Sequence, residues 1–335
     1  MEFKEPKKNK KVHTQKHITN PYQYRYQPSL HTYPISLLKN LTEPISSTDV
    51  IFQFHIPKAA GTLTKQILTR CYHLSHPIMY NRIDTSTIAG ISQAKANRLV
   101  SSRDILDVIT SSHLHEGCTL LSSIHQGRLF VMFRHPVERE VSLFYYLGKA
   151  IWEDGYREDF RNMTLLEYAT FDDHDHEHKR VKIDNWMVRY LARKLKGNIL
   201  PQDLQLAKDI LRYKSLIGLT SEYQESMRRF DLFYGIRFNE GEREKVNGLR
   251  GRPNEGDCVE EQMRERVNEN LHDPINKDSP EWNALKNANN FDMELYSFAK
   301  MLYAEQGKMF VEDDGSINMN MKNRRWNFRS PNMTT

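Results

Sequence analysis

The chain has 335 residues, with 48 basic and 43 acidic side chains and a net charge of +5 at pH 7. Its apolar fraction of 39 % is typical of a soluble globular protein with a sizeable core, in one large domain or two small ones. No apolar stretch approaches the roughly 18 residues of a transmembrane helix, and no apolar segment follows the basic N-terminus as a signal peptide would require. The mildly basic charge favours an anionic partner.

Residues 1–48 are polar, basic and without a clear period, and we expect a loosely packed or partly disordered N-terminal tail there. Residues 49–310 would form one domain, and residues 311–335 a polar C-terminal tail. Three scattered cysteines, Cys71, Cys118 and Cys258, have the spacing of neither a metal site nor a disulfide framework. One disulfide is possible and would leave one thiol, so the redox compartment stays open.

Along the chain, predicted strands alternate with predicted helices. Strands are predicted at residues 51–56, 77–83, 107–112, 129–133 and 215–219. Helices are predicted at residues 63–70, 92–105, 136–147, 159–170, 184–196, 201–213, 221–230 and 282–306, and a Gly- and charge-rich loop at residues 239–257. This alternation favours an α/β fold, a single domain whose central parallel sheet is flanked by helices.

The first functional motif follows the first strand. Ile51 to Ile56 is rich in strand formers, a tight stretch Pro57-Lys58-Ala59-Ala60-Gly61-Thr62 comes next, and a helical pattern begins at Leu63. A loop of small residues that opens a helix presents free backbone N–H groups, and such a place binds phosphate or sulfate. The common nucleotide-binding loop is different, because there the lysine follows two glycines, whereas Lys58 precedes Gly61.

The second motif is LFVMFRHPVEREVSLFYYL, residues 129–147. Its short apolar run is typical of a buried parallel strand, with Arg134 at the carboxyl end and Pro136 where a helix would begin. Ser142 lies eight residues after Arg134, about two turns into that helix, so we expect both side chains to reach one anion. Ligands of open α/β sheets sit at the carboxyl ends of the strands.

HIPKAAGT followed about seventy residues later by FRHPVEREVSLFYY resembles the carbohydrate sulfotransferases that use 3′-phosphoadenosine 5′-phosphosulfate (PAPS). The likeness is greatest to the Golgi group that includes heparan sulfate 2-O- and 6-O-sulfotransferases, and it implies a P-loop-like sulfotransferase fold. It also implies that the first motif holds the 5′-phosphosulfate, through Lys58 and the N–H groups of Ala60, Gly61, Thr62 and Leu63. Arg134 and Ser142 would then bind the 3′-phosphate, and a basic loop with Arg252 would close over the donor.

The predicted catalytic residues are Lys58, for charge on the leaving phosphate, and a histidine that takes the acceptor proton. We expect His113 to be this base because it follows the strand 107–112, with His115 second and Glu116 third. The acceptor side would include His115, Asn185 and Arg189, the last two by resemblance. Each of these residues also has an interpretation without a function: a flexible loop for Arg252, an ordinary helix for Asn185 and Arg189, and a solvated histidine for His113.

The predicted function is sulfuryl transfer from PAPS to a hydroxyl of a glycan, with PAP as product and no metal. The His-rich run FDDHDHEHKR, residues 171–180, is interpreted as a solvated loop because no outlying ligands complete a metal site. The alternatives are a kinase with an atypical phosphate loop and a non-catalytic module that binds sulfated glycans. No nucleic-acid partner is expected, and the oligomeric state stays open. The resemblance implies a Golgi or membrane-associated protein, whereas the missing anchor leaves a cytoplasmic one open.

Overall fold

A computed structural model describes residues 28–80, 82–100, 106–153, 156, 158–170, 184–236, 255–265, 274–311 and 318. Its centre is a single sheet of four parallel strands, which run in the order β2-β1-β3-β4. These are β1 Val50–Phe54, β2 Val108–Ser111, β3 Gly127–Phe133 and β4 Ser215–Leu219. The predicted α/β fold class is therefore confirmed.

Helices cover the sheet. They are α1 Gly61–Gln66, α2 Ile88–Ala96, α3 Leu114–Cys118, α4 Pro136–Leu147, α5 Leu165–Thr170, α6 Trp186–Ala192, α7 Pro201–Lys214, α8 Tyr223–Tyr234, α9 Glu255–Arg264, α10 Pro280–Ala288 and α11 Asn290–Gly307. Among the described residues, no helix combines the length and apolarity needed to cross a lipid bilayer.

Both faces of the sheet are buried, as its continuous apolar strands require. Phe52 and Phe54 face a core that includes residues of α6, α7 and α11, whereas Ile51 and Phe130 face a second core that includes residues of α8. A third apolar cluster lies between α4, α5 and α10. The strands are thus fixed from both sides, and the loops at their ends carry the polar side chains.

Residues 28–48 differ from the loosely packed tail expected there. Leu30, Ile35 and Leu38 are buried in the main core. Arg128 on β3 donates to the Asp49 carboxylate at 2.7 Å and to the carbonyl of Asn40 at 3.0 Å. A buried guanidinium needs such partners, and here they tie the N-terminal segment to the amino end of the sheet.

Several elements differ from the pattern in the sequence. Residues 77–79 form a 3-10 turn where the sequence predicts a strand, because Pro77 opens the turn and His76 Nδ1 accepts from the N–H of Ile78 at 3.1 Å. Helix α2 begins after Thr87, whose Oγ1 accepts from the N–H of Gly90, before the serine cap predicted at residue 92. The long helix predicted at residues 282–306 is interrupted at Asn289, where the side chain of Asn185, at the N-cap of α6, donates to the carbonyl of Ala288 and accepts from the N–H of Phe291.

The cysteines divide as one pair and one thiol. Cys71 and Cys258 form a disulfide with a Cα–Cα distance of 5.7 Å, and Cys118 is a buried free thiol. Cys71 ends the π-helical turn Ile67–Cys71 that continues α1, and Cys258 lies in α9. The bond therefore fastens α9 to the helical segment that follows the first motif.

Candidate active site

All four strands end at one cavity of about 1170 Å³. The residues just past their carboxyl ends that line it include Lys58 after β1, Ser112 after β2, Arg134 after β3 and Thr220 after β4. β2 lies on one side of β1 and β3 on the other, so the direction in which strands are added to the sheet reverses at β1. Ligands of open α/β sheets bind at such a reversal of strand order.

The loop after β1 has the backbone shape of an anion cradle. Lys58 and Ala60 have left-handed backbones, with φ of +64° and +59°. Alternation of such residues turns neighbouring N–H groups toward one concave side, where an anion binds. Gln53, buried in β1, fixes the loop by donating to the Gly61 carbonyl at 3.3 Å. Thr64, in the first turn of α1, donates from its hydroxyl to the Ala60 carbonyl at 3.0 Å.

Lys58 extends into the cavity from this loop. Its ammonium nitrogen lies 4.1 Å from the ring centroid of Tyr146 on α4. Burial and the nearby Arg134 lower the pKa of Lys58 to about 8, while Glu153 opposes that shift. An anion in the cavity would favour the charged ammonium. Binding of an anionic ligand would therefore increase the fraction of Lys58 that is protonated and positively charged.

Arg134 and Ser142 lie on the same cavity as the first motif. Nη1 of Arg134 donates to the carbonyl of Lys58 at 3.2 Å, and its Nε is 4.0 Å from Glu138 Oε2. Ser142 is buried on α4 and lines the wall. The two sequence motifs, far apart along the chain, thus meet in space as the spacing argument requires, and together they present two cations and a hydroxyl.

A histidine that sequence reasoning did not single out also lines the cavity. The His55 ring lies against Gly61, where a Cβ would come within 1.9 Å of His55 Cδ2. Burial, aided by the charge of Lys65 and opposed by Asp84, lowers the pKa of His55 to about 4. The imidazole is therefore neutral at pH 7 and can accept a proton. The signal was available, because His55 belongs to the first motif itself.

His113, the predicted base, occupies the N-cap position of α3, one residue beyond the lining residue Ser112. Its half-buried ring contacts Tyr190 at a centroid distance of 5.4 Å. Burial lowers the pKa of His113 as well. His113 itself is not among the described lining residues, whereas its neighbour Ser112 is.

His115 and Glu116, the other candidate bases, join α3 to α6. Buried His115 places Nε2 2.8 Å from the carbonyl of Leu191, and burial lowers the pKa of His115. Glu116 forms an ion pair with Arg193 at 2.9 Å. These contacts give both residues a packing role, and neither belongs to the described lining of the cavity.

Asn185 and Arg189, predicted on the acceptor side, are buried and also outside that lining. Asn185 Oδ1 accepts from the N–H groups of Phe291 and Asp292, at 2.8 and 3.1 Å, which joins α6 to the break before α11. Arg189 donates to the Asp184 carboxylate at 2.8 Å and to carbonyls beyond the end of α6. The described contacts of both side chains hold parts of the fold together, and their place on the acceptor side stays a prediction.

Two predictions fall outside the described residues. Arg252, expected to close over the donor, lies there, and so does the His-rich run at residues 171–180. Within the described part of the chain, no group of three or more His, Cys, Asp or Glu side chains is arranged to hold a metal ion.

Tyr146 and Glu153 line the cavity and were also missed. Tyr146 lies four residues after Ser142, hence on the same face of α4, and this spacing could have identified it. Glu153 belongs to the turn that follows α4, where the sequence shows no period. Both are close to Lys58, and Tyr146 lies under its ammonium.

The geometry defines an α/β protein with paired anion-binding features at the carboxyl edge of its sheet. A sequence model of the sulfotransferase family matches residues 44–299, more than half of the chain. The chain belongs to the sulfotransferase family. No curated protein and no solved structure matches it at a significant level. The resemblance inferred from the two motifs is thereby confirmed for the sulfotransferase family as a whole.

Proposed function

We propose that the protein is an enzyme that transfers the sulfuryl group of PAPS to a hydroxyl of a carbohydrate. The observation that carries the proposal is the meeting of the two motifs on one cavity, with Lys58 and Arg134 joined by a hydrogen bond. A donor that is anionic at both ends needs two such sites. The cavity volume of about 1170 Å³ is large enough for a nucleotide together with part of a sugar chain.

Different residues of the chain would bind the two anionic ends of the donor. The N–H groups of residues 60–63 would hold the 5′ end, while Arg134 and Ser142 would hold the 3′-phosphate. Lys58 would meet the negative charge that grows on the leaving phosphate, and such a contact accelerates transfer because it is strongest in the transition state. The left-handed backbone at Lys58 and Ala60 supports this assignment, since it turns the loop's N–H groups to one side.

For the proton of the acceptor hydroxyl we propose a histidine at the same edge, and we favour His55 over His113. Of these two, only His55 belongs to the described lining of the cavity; His135 also lines it, but its ring is stacked on Trp282 at a centroid distance of 5.0 Å. Its lowered pKa keeps it neutral, and a bound anionic donor would raise that pKa toward the operating range of a general base. His113 remains the alternative, one residue along the chain from the lining residue Ser112.

The acceptor would be a glycan, by the likeness of the motifs to the heparan sulfate 2-O- and 6-O-sulfotransferases. The disulfide Cys71–Cys258 supports a Golgi or other secretory location, because such bonds persist in oxidising compartments and are rare in the cytosol.

The proposal is tested by calorimetry with PAP and AMP and by a labelled PAPS assay against a glycan panel. We expect stoichiometric PAP binding with a clear preference over AMP, loss of that preference in Arg134→Ala, and turnover that collapses in a folded Lys58→Ala variant. Preferential turnover of ATP would indicate a kinase. Binding of sulfated glycan without PAP affinity would indicate a binding module, and either result contradicts the proposal.

The base is assigned by a pair of variants. His55→Ala should lower kcat by about a hundredfold, the usual scale of general-base catalysis, while PAP affinity changes far less. His113→Ala should keep most of the activity. The reverse pattern would assign the proton transfer to His113, and two active variants would exclude both His55 and His113 as the base.

A further inference from the structure

Beside Lys58, three side chains form a connected group at the mouth of the cavity. Tyr146 Oη donates to Glu153 Oε1 at 2.6 Å, and Trp152 Nε1 donates to Tyr146 Oη at 3.3 Å. Tyr146 and Glu153 line the cavity, and Lys58 Nζ lies 4.1 Å from the Tyr146 ring centroid. The group thus connects the proposed reaction centre with the protein surface.

Trp152 is 73 % exposed, although it is the largest apolar side chain of this region. Single exposed apolar residues are common and need no explanation, and the neighbouring Ile151, 66 % exposed, is one of them. Trp152 differs because its indole N–H donates to Tyr146, a residue that lines the cavity. This hydrogen bond holds the indole next to the cavity wall. The backbone beneath is also fixed, since the N–H of Glu153 donates to the carbonyl of Ala150 at 2.9 Å.

We propose that Trp152, Tyr146 and Glu153 form an acceptor subsite for an uncharged pyranose ring. This proposal rests on the proposed function. A pyranose has an apolar face of C–H groups, which suits the flat side of an indole, and a rim of hydroxyls, which suits a carboxylate and a phenol. An indole that is already oriented loses little freedom on binding, so its contact contributes more to affinity.

The charge of Glu153 sets the selectivity of the subsite. A sugar that carries its own carboxylate or sulfate would meet like charge there, and such a pair is unfavourable. Lys277 and Lys300 also line the cavity and supply positive charge to it. In an alternating chain of hexosamine and uronic acid, the neutral hexosamine would therefore stack on Trp152, and the acidic sugars would lie toward lysines.

The test is sulfation kinetics with an unsulfated chondroitin hexasaccharide, which alternates neutral and acidic rings. Trp152→Ala should raise KM roughly tenfold, as expected for about 1.4 kcal/mol of lost stacking, with little change in kcat. The Kd for PAP should not change. The matched control Ile151→Ala should leave KM as it is, because that similarly exposed side chain, unlike Trp152, has no described contact with a cavity-lining residue.

A second readout does not depend on turnover. With PAP bound, the hexasaccharide should shift the tryptophan emission of the wild-type protein, and Trp152→Phe should remove most of that shift. Glu153→Gln should weaken the preference for a neutral ring over an acidic ring, measured as competition between the hexasaccharide and a polyuronate of the same length.

The outcomes separate this subsite from the proposed function. Normal PAP binding and sulfation with an unchanged KM in Trp152→Ala would overturn the subsite alone. The subsite is equally overturned if Trp152→Ala alters the oligomeric state and not the acceptor KM, because Trp152 would then belong to a protein interface. Absence of both PAP binding and sulfation in the wild-type protein would overturn the proposed function instead.

Discussion

Removal of the disulfide should both destabilise the fold and weaken donor binding. The bond closes a loop of 187 residues. The chain-entropy relation gives roughly 5 kcal/mol for a loop of this length, and measured values are usually about 2–4 kcal/mol because the unfolded state keeps some structure. We therefore expect Cys71→Ser/Cys258→Ser to lose about 3 kcal/mol of unfolding free energy.

The bond also holds α9 in place. The described hydrogen bond between α9 and the segment that follows α1 is weak, at 3.5 Å from Arg70 Nη1 to Gln262 Oε1, and Val259 of α9 also packs against the second core. Met263 of α9 lines the cavity, so release of α9 should raise the Kd for PAP severalfold.

The assay is guanidinium unfolding with and without dithiothreitol, followed by PAP calorimetry. The reduced wild-type protein and the double variant should have the same midpoint, and only the oxidised wild-type protein should exceed them. A double variant whose free energy of unfolding lies within about 1 kcal/mol of that of the oxidised protein would refute the entropic argument. That argument requires a disulfide across so long a loop to be clearly stabilising. An unchanged Kd would show that α9 keeps its place without the bond.

Three further predictions concern the loop, its lysine and the α6 junction. Gly61→Ala should displace the His55 ring and cost about 1–3 kcal/mol of stability, measured by denaturation. It should also greatly weaken PAP binding, whereas the control Thr62→Ala should not. PAP affinity, measured by calorimetry, should fall as pH rises through about 8, because the free Lys58 loses its proton there, and Lys58→Arg should abolish this fall. Asn185→Ala leaves two N–H groups without their acceptor and should cost about 2–4 kcal/mol of stability, measured by denaturation, while the KM for the acceptor is unchanged in the folded variant. An acceptor role would instead raise that KM at unchanged stability.

Strands β1, β3 and β4 could be predicted because each is a short apolar run bounded by polar residues, and burial on both faces is what such a run indicates. The meeting of Lys58 with Arg134 followed from the rule that parallel strands end at one edge. That rule needs no side-chain detail, and hence the donor side of the candidate site could be proposed from sequence.

The acceptor side could not be predicted in the same way. Whether His55 or His113 faces the cavity depends on the local backbone, and His113 turns toward Tyr190. Asn185 and Asn289 bind backbone across two helices, and this tertiary contact overrides the helical period that had suggested one long helix. Left-handed backbone at Lys58 is equally invisible to propensity, which assigns such conformations to glycine.

The strand order has a consequence for when the cavity comes into existence. Each strand contributes to the wall, and β4 joins the sheet through β3, where Leu129 pairs with the distant Ser215. Parallel pairs of such long separation form slowly, because loop closure precedes any gain from contacts. The binding surface should therefore be absent from the folding transition state. In that case PAP would slow unfolding in proportion to its occupancy and leave the refolding rate untouched.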